Sequence, residues 1–67
     1  MLQLRIYAVS SAAESVLELL EAEPAVSAVA VVRGGSVRPP GDVVLADVAR
    51  EAANDVIDRL RGLGQER

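Results

Sequence analysis

Val26-Ser27-Ala28-Val29-Ala30-Val31-Val32-Arg33, then Gly34-Gly35-Ser36-Val37-Arg38-Pro39-Pro40-Gly41, then Asp42-Val43-Val44-Leu45-Ala46-Asp47-Val48 is the run that decides the fold. The outer two segments are rich in valine, whose β-branched side chain suits a pleated strand. The middle segment is glycine, proline and serine throughout, which is turn and loop material. Two strands joined in this way have no helix between them. They must be antiparallel neighbours, because a parallel pair needs a crossover of a dozen or more residues.

Upstream, residues 2–9 alternate, with Leu2, Leu4, Ile6 and Ala8 on one side and Gln3, Arg5, Tyr7 and Val9 on the other. That period of two predicts a half-buried strand. Ser11 and Glu14, three residues apart, form a capping-box signature, which makes Ser11 the expected helix cap. Ala13, Val16, Leu17 and Leu20 then recur at helical spacing, so residues 12–22 read as an amphipathic helix that Pro24 stops. Downstream, Ala52, Ala53, Val56, Ile57, Leu60 and Leu63 return to the same spacing from Arg50 onward. Asp47, at the end of the third strand, is the expected cap of this second helix. Asp55 and Arg59 are placed to pair at i,i+4, and Gly62 and Gly64 supply stops.

The order is therefore β-α-β-β-α, an α+β chain. It corresponds to a ferredoxin-like split β-α-β sandwich without its fourth strand, with a three-stranded sheet in order 1-3-2 and two helices on one face. A fourth strand would lie beside the first. Its absence leaves residues 2–9, with Leu2, Leu4, Ile6 and Ala8, as an open apolar edge, the expected self-association edge at which copies of the chain pair. The expectation is a fragment of a longer protein, or a chain that borrows a neighbour at this edge.

Both faces of the sheet also carry apolar residues. Val43 and Leu45 oppose Val44, Ala46 and Val48, while Val29 and Val31 oppose Ala28, Ala30 and Val32. Helices cover one face only, and a sheet with one wet face alternates more cleanly than this. The face without helices is expected to pack on another subunit or domain.

Composition narrows the chemistry. The chain has 67 residues, one domain at most, and 51% are apolar. It has no His, Cys, Lys, Thr, Phe or Trp, and its one aromatic is Tyr7. Without cysteine or histidine there is no disulfide, no soft metal site and no imidazole base. Ten acids against seven arginines give a net charge of −3 and a pI near 4.7, which opposes nucleic-acid binding. The longest uncharged stretch, Pro24 to Val32, is nine residues, against the roughly 20 of a membrane span. The start lacks the basic and apolar regions of a signal peptide.

The run Pro39-Pro40-Gly41-Asp42-Val43-Val44-Leu45-Ala46-Asp47-Val48-Ala49-Arg50-Glu51-Ala52-Ala53-Asn54-Asp55-Val56-Ile57 resembles the N-terminal region of a bacterial membrane-protein family, domain of unknown function 389, also called the hydrophobic-domain family. The opening Leu-Gln-Leu-Arg and the Leu-Leu-Glu-Ala-Glu-Pro-Ala-Val segment are similar too. The resemblance implies a soluble α+β domain at the cytoplasmic face of a membrane protein, followed by membrane-spanning helices. It brings no active-site residues with it.

Candidate sites are few. Asp42, Asp47, Glu51 and Asp55 are spread over a strand and a helix rather than converging in a loop, so start-of-strand, cap and surface roles are expected and a metal site is not. Arg33, Gly34, Gly35, Ser36 and Arg38 offer free amides and two guanidiniums, a possible contact for an anionic ligand or partner. A phosphate loop proper needs a following helix, which is missing here, so a plain hairpin loop is the simpler reading. Glu14, Glu18 and Glu21 form an acidic helix face, read as solvated surface.

These residues predict a non-catalytic module without a cofactor that self-associates through its sheet. A second reading is a sensor of a small molecule, like the amino-acid-binding regulatory domains that share this element order. No nucleophile and base can be assembled from these residue types, so an enzyme is not expected.

Overall fold

The structure, a computed structural model, describes residues 1–63. In chain order these form β1 (Leu2–Ala8), α1 (Ser10–Glu21), β2 (Val26–Ser36), β3 (Gly41–Val48), a 3₁₀ turn (Arg50–Ala52) and α2 (Ala53–Arg61). The strands make one antiparallel sheet in order β1-β3-β2. This is the α+β, ferredoxin-like arrangement that the element order implies.

β3 is central, hydrogen-bonded on both sides, and its two faces separate cleanly. Val44, Ala46 and Val48 lie buried beneath the helices, while Val43, Leu45 and Asp47 point the other way and stay half-buried. The helices meet the sheet through Ala13, Val16 and Leu20 of α1 and Ala53, Val56 and Leu60 of α2. Each set follows the three-to-four-residue spacing that gathers side chains on one helical face. Leu4, Ile6, Val29 and Val31 pack around the rim of this core. The core is wholly aliphatic.

Local boundaries differ from expectation in three places. β2 continues to Ser36 instead of ending at Arg33, and only residues 37–40 form the turn. Val32 pairs with Val43 and Ser36 with Gly41, so residues 33–35 of β2 face the single residue Asp42 of β3 across a bulge. Gly34 takes φ +67° there, the left-handed conformation that glycine adopts without steric cost.

The caps also differ. α1 begins at Ser10 with Val9 as its N-cap and no side-chain capping bond, so Ser11 lies within the first turn and does not cap. The backbone closes that turn instead, Ala12 N–H donating to the Val9 carbonyl at 2.8 Å. Asp47 does not cap the second helix either. The chain leaves β3 through Ala49, the N-cap of the 3₁₀ turn, and Asp47 projects from the sheet face away from the helices.

α2 ends at Gly62, which keeps a right-handed conformation and donates to the Asp58 carbonyl at 3.1 Å. The second expected stop, Gly64, lies outside the described residues. The expected Asp55–Arg59 pair forms at 3.4 Å, and Arg59 also reaches Glu23 at 3.1 Å, tying α2 to the end of α1.

Candidate functional site

The bulge and the start of β3 build the one buried charge among the described residues. Asp42 continues the period of Val44, Ala46 and Val48, which places its carboxylate on the helix side, where it is only 3% exposed. It accepts from the Gly34 N–H at 2.8 Å, Arg33 Nη1 at 3.4 Å and Ser10 Oγ at 3.5 Å. Arg33 Nη2 extends the network to Glu14 of α1 at 3.1 Å. The hydrogen bond to Glu14 does most to raise the pKa of the Arg33 guanidinium above the ordinary arginine value; desolvation opposes it, and the bond to Asp42 and the two carboxylate charges add smaller raises.

This network joins the bulge, β3 and the start of α1, and it absorbs the loop residues that suggested an anion contact. Arg33 is paired with two carboxylates, and the Gly34 amide serves Asp42. Ser36 Oγ donates to the Pro39 carbonyl, and a side chain at Gly35 would press on Val32. Arg38 remains exposed at the turn. What the loop does is hold the hairpin to α1. Asp42 does stand at the start of the strand as expected, but it is buried and not a surface acid: the period of β3 carried that signal and was not read, and its partners lie as far as 32 residues away.

The face of the sheet without helices mixes apolar residues with Gln3, Arg5 and Asp47. The strand register lays it out in three rows: Gln3, Asp47 and Ala28; Arg5, Leu45 and Ala30; Tyr7, Val43 and Val32. Tyr7 and Val32 are 51% and 50% exposed, and Ala28 and Ala30 leave a shallow hollow of about 140 Å³ beside Leu45.

A second surface lies along β1. Leu2, Leu4, Ile6 and Ala8 point toward the helix side, opposite Val48, Ala46, Val44 and Asp42 of β3. Ala8 is buried and Leu4 and Ile6 are half-buried, so what the edge offers a partner is mainly its unpaired backbone. Beside that edge runs an open groove of about 570 Å³. Leu4, Ile6, Ile57 and Leu60 supply apolar lining, with Arg5, Tyr7, Pro39 and Arg61 around it. The contribution of Ile57 was not read from the sequence. The signal was its position on the helix next to the place of a fourth strand.

Among the described residues, no group of three or more His, Cys, Asp or Glu side chains is placed to hold a metal ion, and no helix is long and apolar enough to cross a membrane. No protein-family model, curated protein or solved structure matches this chain.

Proposed function

We propose that this domain is a non-catalytic assembly module that brings copies of itself together through the helix-free face of its sheet. The observation that carries the proposal is the apolar part of that face, Leu45 and Val43 on the central strand with Ala30 and Val32 beside them, over which no layer lies among the described residues. Burying such a surface releases about 25 cal/mol per Å² of apolar area.

Size sets the strength. Strand rise and spacing make the face roughly 25 Å by 15 Å, or about 375 Å² in projection. Stable interfaces bury about 800 Å² per partner, so this contact is weak between free domains. Weak contacts suit domains attached to a shared support, where tethering raises the effective concentration toward the millimolar range. The resemblance to a membrane-protein family supplies such a support, with the domain on the cytoplasmic side as a regulatory or assembly unit. That setting rests on the resemblance alone.

Sedimentation equilibrium tests the association. The expected result is a dimer that forms as the protein approaches roughly millimolar concentration, the range tethering would provide. Val32→Glu, at a half-exposed position, is expected to abolish it with little change in melting temperature. A chain that stays monomeric at about 1 mM, the tethered range, contradicts the proposal.

A further inference from the structure

The two edges of the sheet are not alike. β2, the outer strand on one side, has register shifts between Val26 and Ala28 and between Val32 and Ser36. Bulges of this kind twist an edge away and blunt it against pairing. β1, on the other side, runs seven residues in unbroken register with β3, and among the described residues nothing pairs with its outward N–H and C=O groups. Alongside it lies the groove of about 570 Å³, with Leu4 and Ile6 below and Ile57 and Leu60 of α2 above. An open regular edge beside an apolar groove is what strand addition requires. Main-chain hydrogen bonds provide affinity, and alternate side chains enter the groove.

Charge selects the occupant. The charged residues at the groove are Arg61 and Arg5, whose backbone borders it while its side chain stands on the opposite, helix-free face beside Leu45, and among the described residues neither makes a salt bridge. Arg5 is also the middle residue of β1. A second copy paired over the full length of this edge would set Arg5 against Arg5, with both Arg61 side chains nearby and no acid among the described residues of the seam. Like charges directly opposite one another destabilise a strand pair. Arg5 therefore disfavours this edge as a site for self-pairing, while it favours an acidic neighbour.

We infer that the β1 edge and the groove beside α2 form an acceptor site for an extended segment of a partner polypeptide that alternates apolar and acidic residues. The apolar side chains of that segment lie between β1 and α2. The intervening acids face Arg5 on the other side of the sheet, and Arg61 attracts the same charge at the end of the groove. This site shares Arg5 with the face proposed for self-association, but its groove and strand edge lie apart from that face and the inference does not depend on it.

The test is binding of a blocked, dye-labelled seven-residue peptide alternating valine and glutamate, read by fluorescence anisotropy and by backbone amide shifts. The expected result is binding with shifts at Leu4–Tyr7 and at residues 57–61, and none from the same peptide with lysine in place of glutamate. Main-chain N-methylation of the peptide removes binding. The double variant Arg5→Glu, Arg61→Glu, changed at two exposed positions, binds the glutamate peptide about tenfold or more weakly and gains affinity for the lysine peptide. Equal binding of the two peptides overturns the inference. So does absence of binding, a shift map centred on Leu45, or a response at Leu4–Tyr7 that grows with protein concentration alone and marks a second copy as the occupant.

Discussion

The Asp42 carboxylate is held by donors from two elements, and each loses its acceptor when the side chain is removed. Asp42→Ala leaves the Gly34 N–H without its partner and Arg33 with Glu14 alone. Its expected cost is about 2–3 kcal/mol, the range for removing a buried, charge-assisted acceptor. Asp42→Asn keeps an oxygen for the Gly34 N–H but presents an amide to the guanidinium, so about half of that loss is expected. Glu14→Gln touches only the exposed end of the network and is expected to cost under about 0.5 kcal/mol. Urea unfolding of the three variants checks the order, and a Glu14→Gln loss as large as that of Asp42→Ala would contradict this account. Ser11→Ala and Asp47→Ala form the complementary pair. Neither side chain caps a helix, so each is expected within about 0.5 kcal/mol of the parent chain, where loss of a true cap costs typically about 1 kcal/mol.

The hairpin and the first βα junction meet at Gly41. A Cβ added there would collide with the Ala8 carbonyl oxygen and crowd Val9, both backbone groups that cannot swing aside. Gly41→Ala is therefore expected to cost about 1–3 kcal/mol as overpacking, and to shift the amides of Ala8 and Val9. Gly34→Ala meets open space and suffers only from its left-handed conformation, at about 1 kcal/mol. Thermal melts that reverse this order would show that the two strands do not approach as described. In the core, Leu20→Ala at a fully buried position removes about 2–5 kcal/mol, a large share of what a domain this small possesses. The elements themselves were legible because their signals are local: the alternation of Leu2, Leu4 and Ile6, the helical spacing of Ala13, Val16 and Leu20, and the two faces of β3. The strand order followed from the short connection between β2 and β3. What escaped was set by pairing between distant segments. Glycine and serine at 34–36 read as loop, yet they complete β2 because a bulge lets three residues face one. The caps were misplaced because α1 starts one residue before Ser11 and a 3₁₀ turn stands between Asp47 and α2.

Across the whole molecule, one sheet carries two invitations that meet at Arg5, and hydrogen exchange can tell them apart. β3 is paired on both sides, so every amide from Val43 to Val48 is expected to exchange slowly and near the global limit. β1 is paired on one side only. Along Leu2–Ala8 protection should therefore alternate, slow where the N–H points to β3 and fast where it points to the open edge. Self-association through the helix-free face buries Leu45 and Val43 but forms no new main-chain bonds at β1. Raising the protein concentration should then lift the melting temperature, because only the folded chain associates, while the outward β1 amides stay fast. An acidic strand in the groove does the reverse, slowing those amides at a protein concentration where the domain is monomeric. If the outward β1 amides slow with protein concentration alone, copies meet at this edge in spite of Arg5, and the division of labour between face and edge is wrong. If they stay fast in both conditions, the groove accepts no strand.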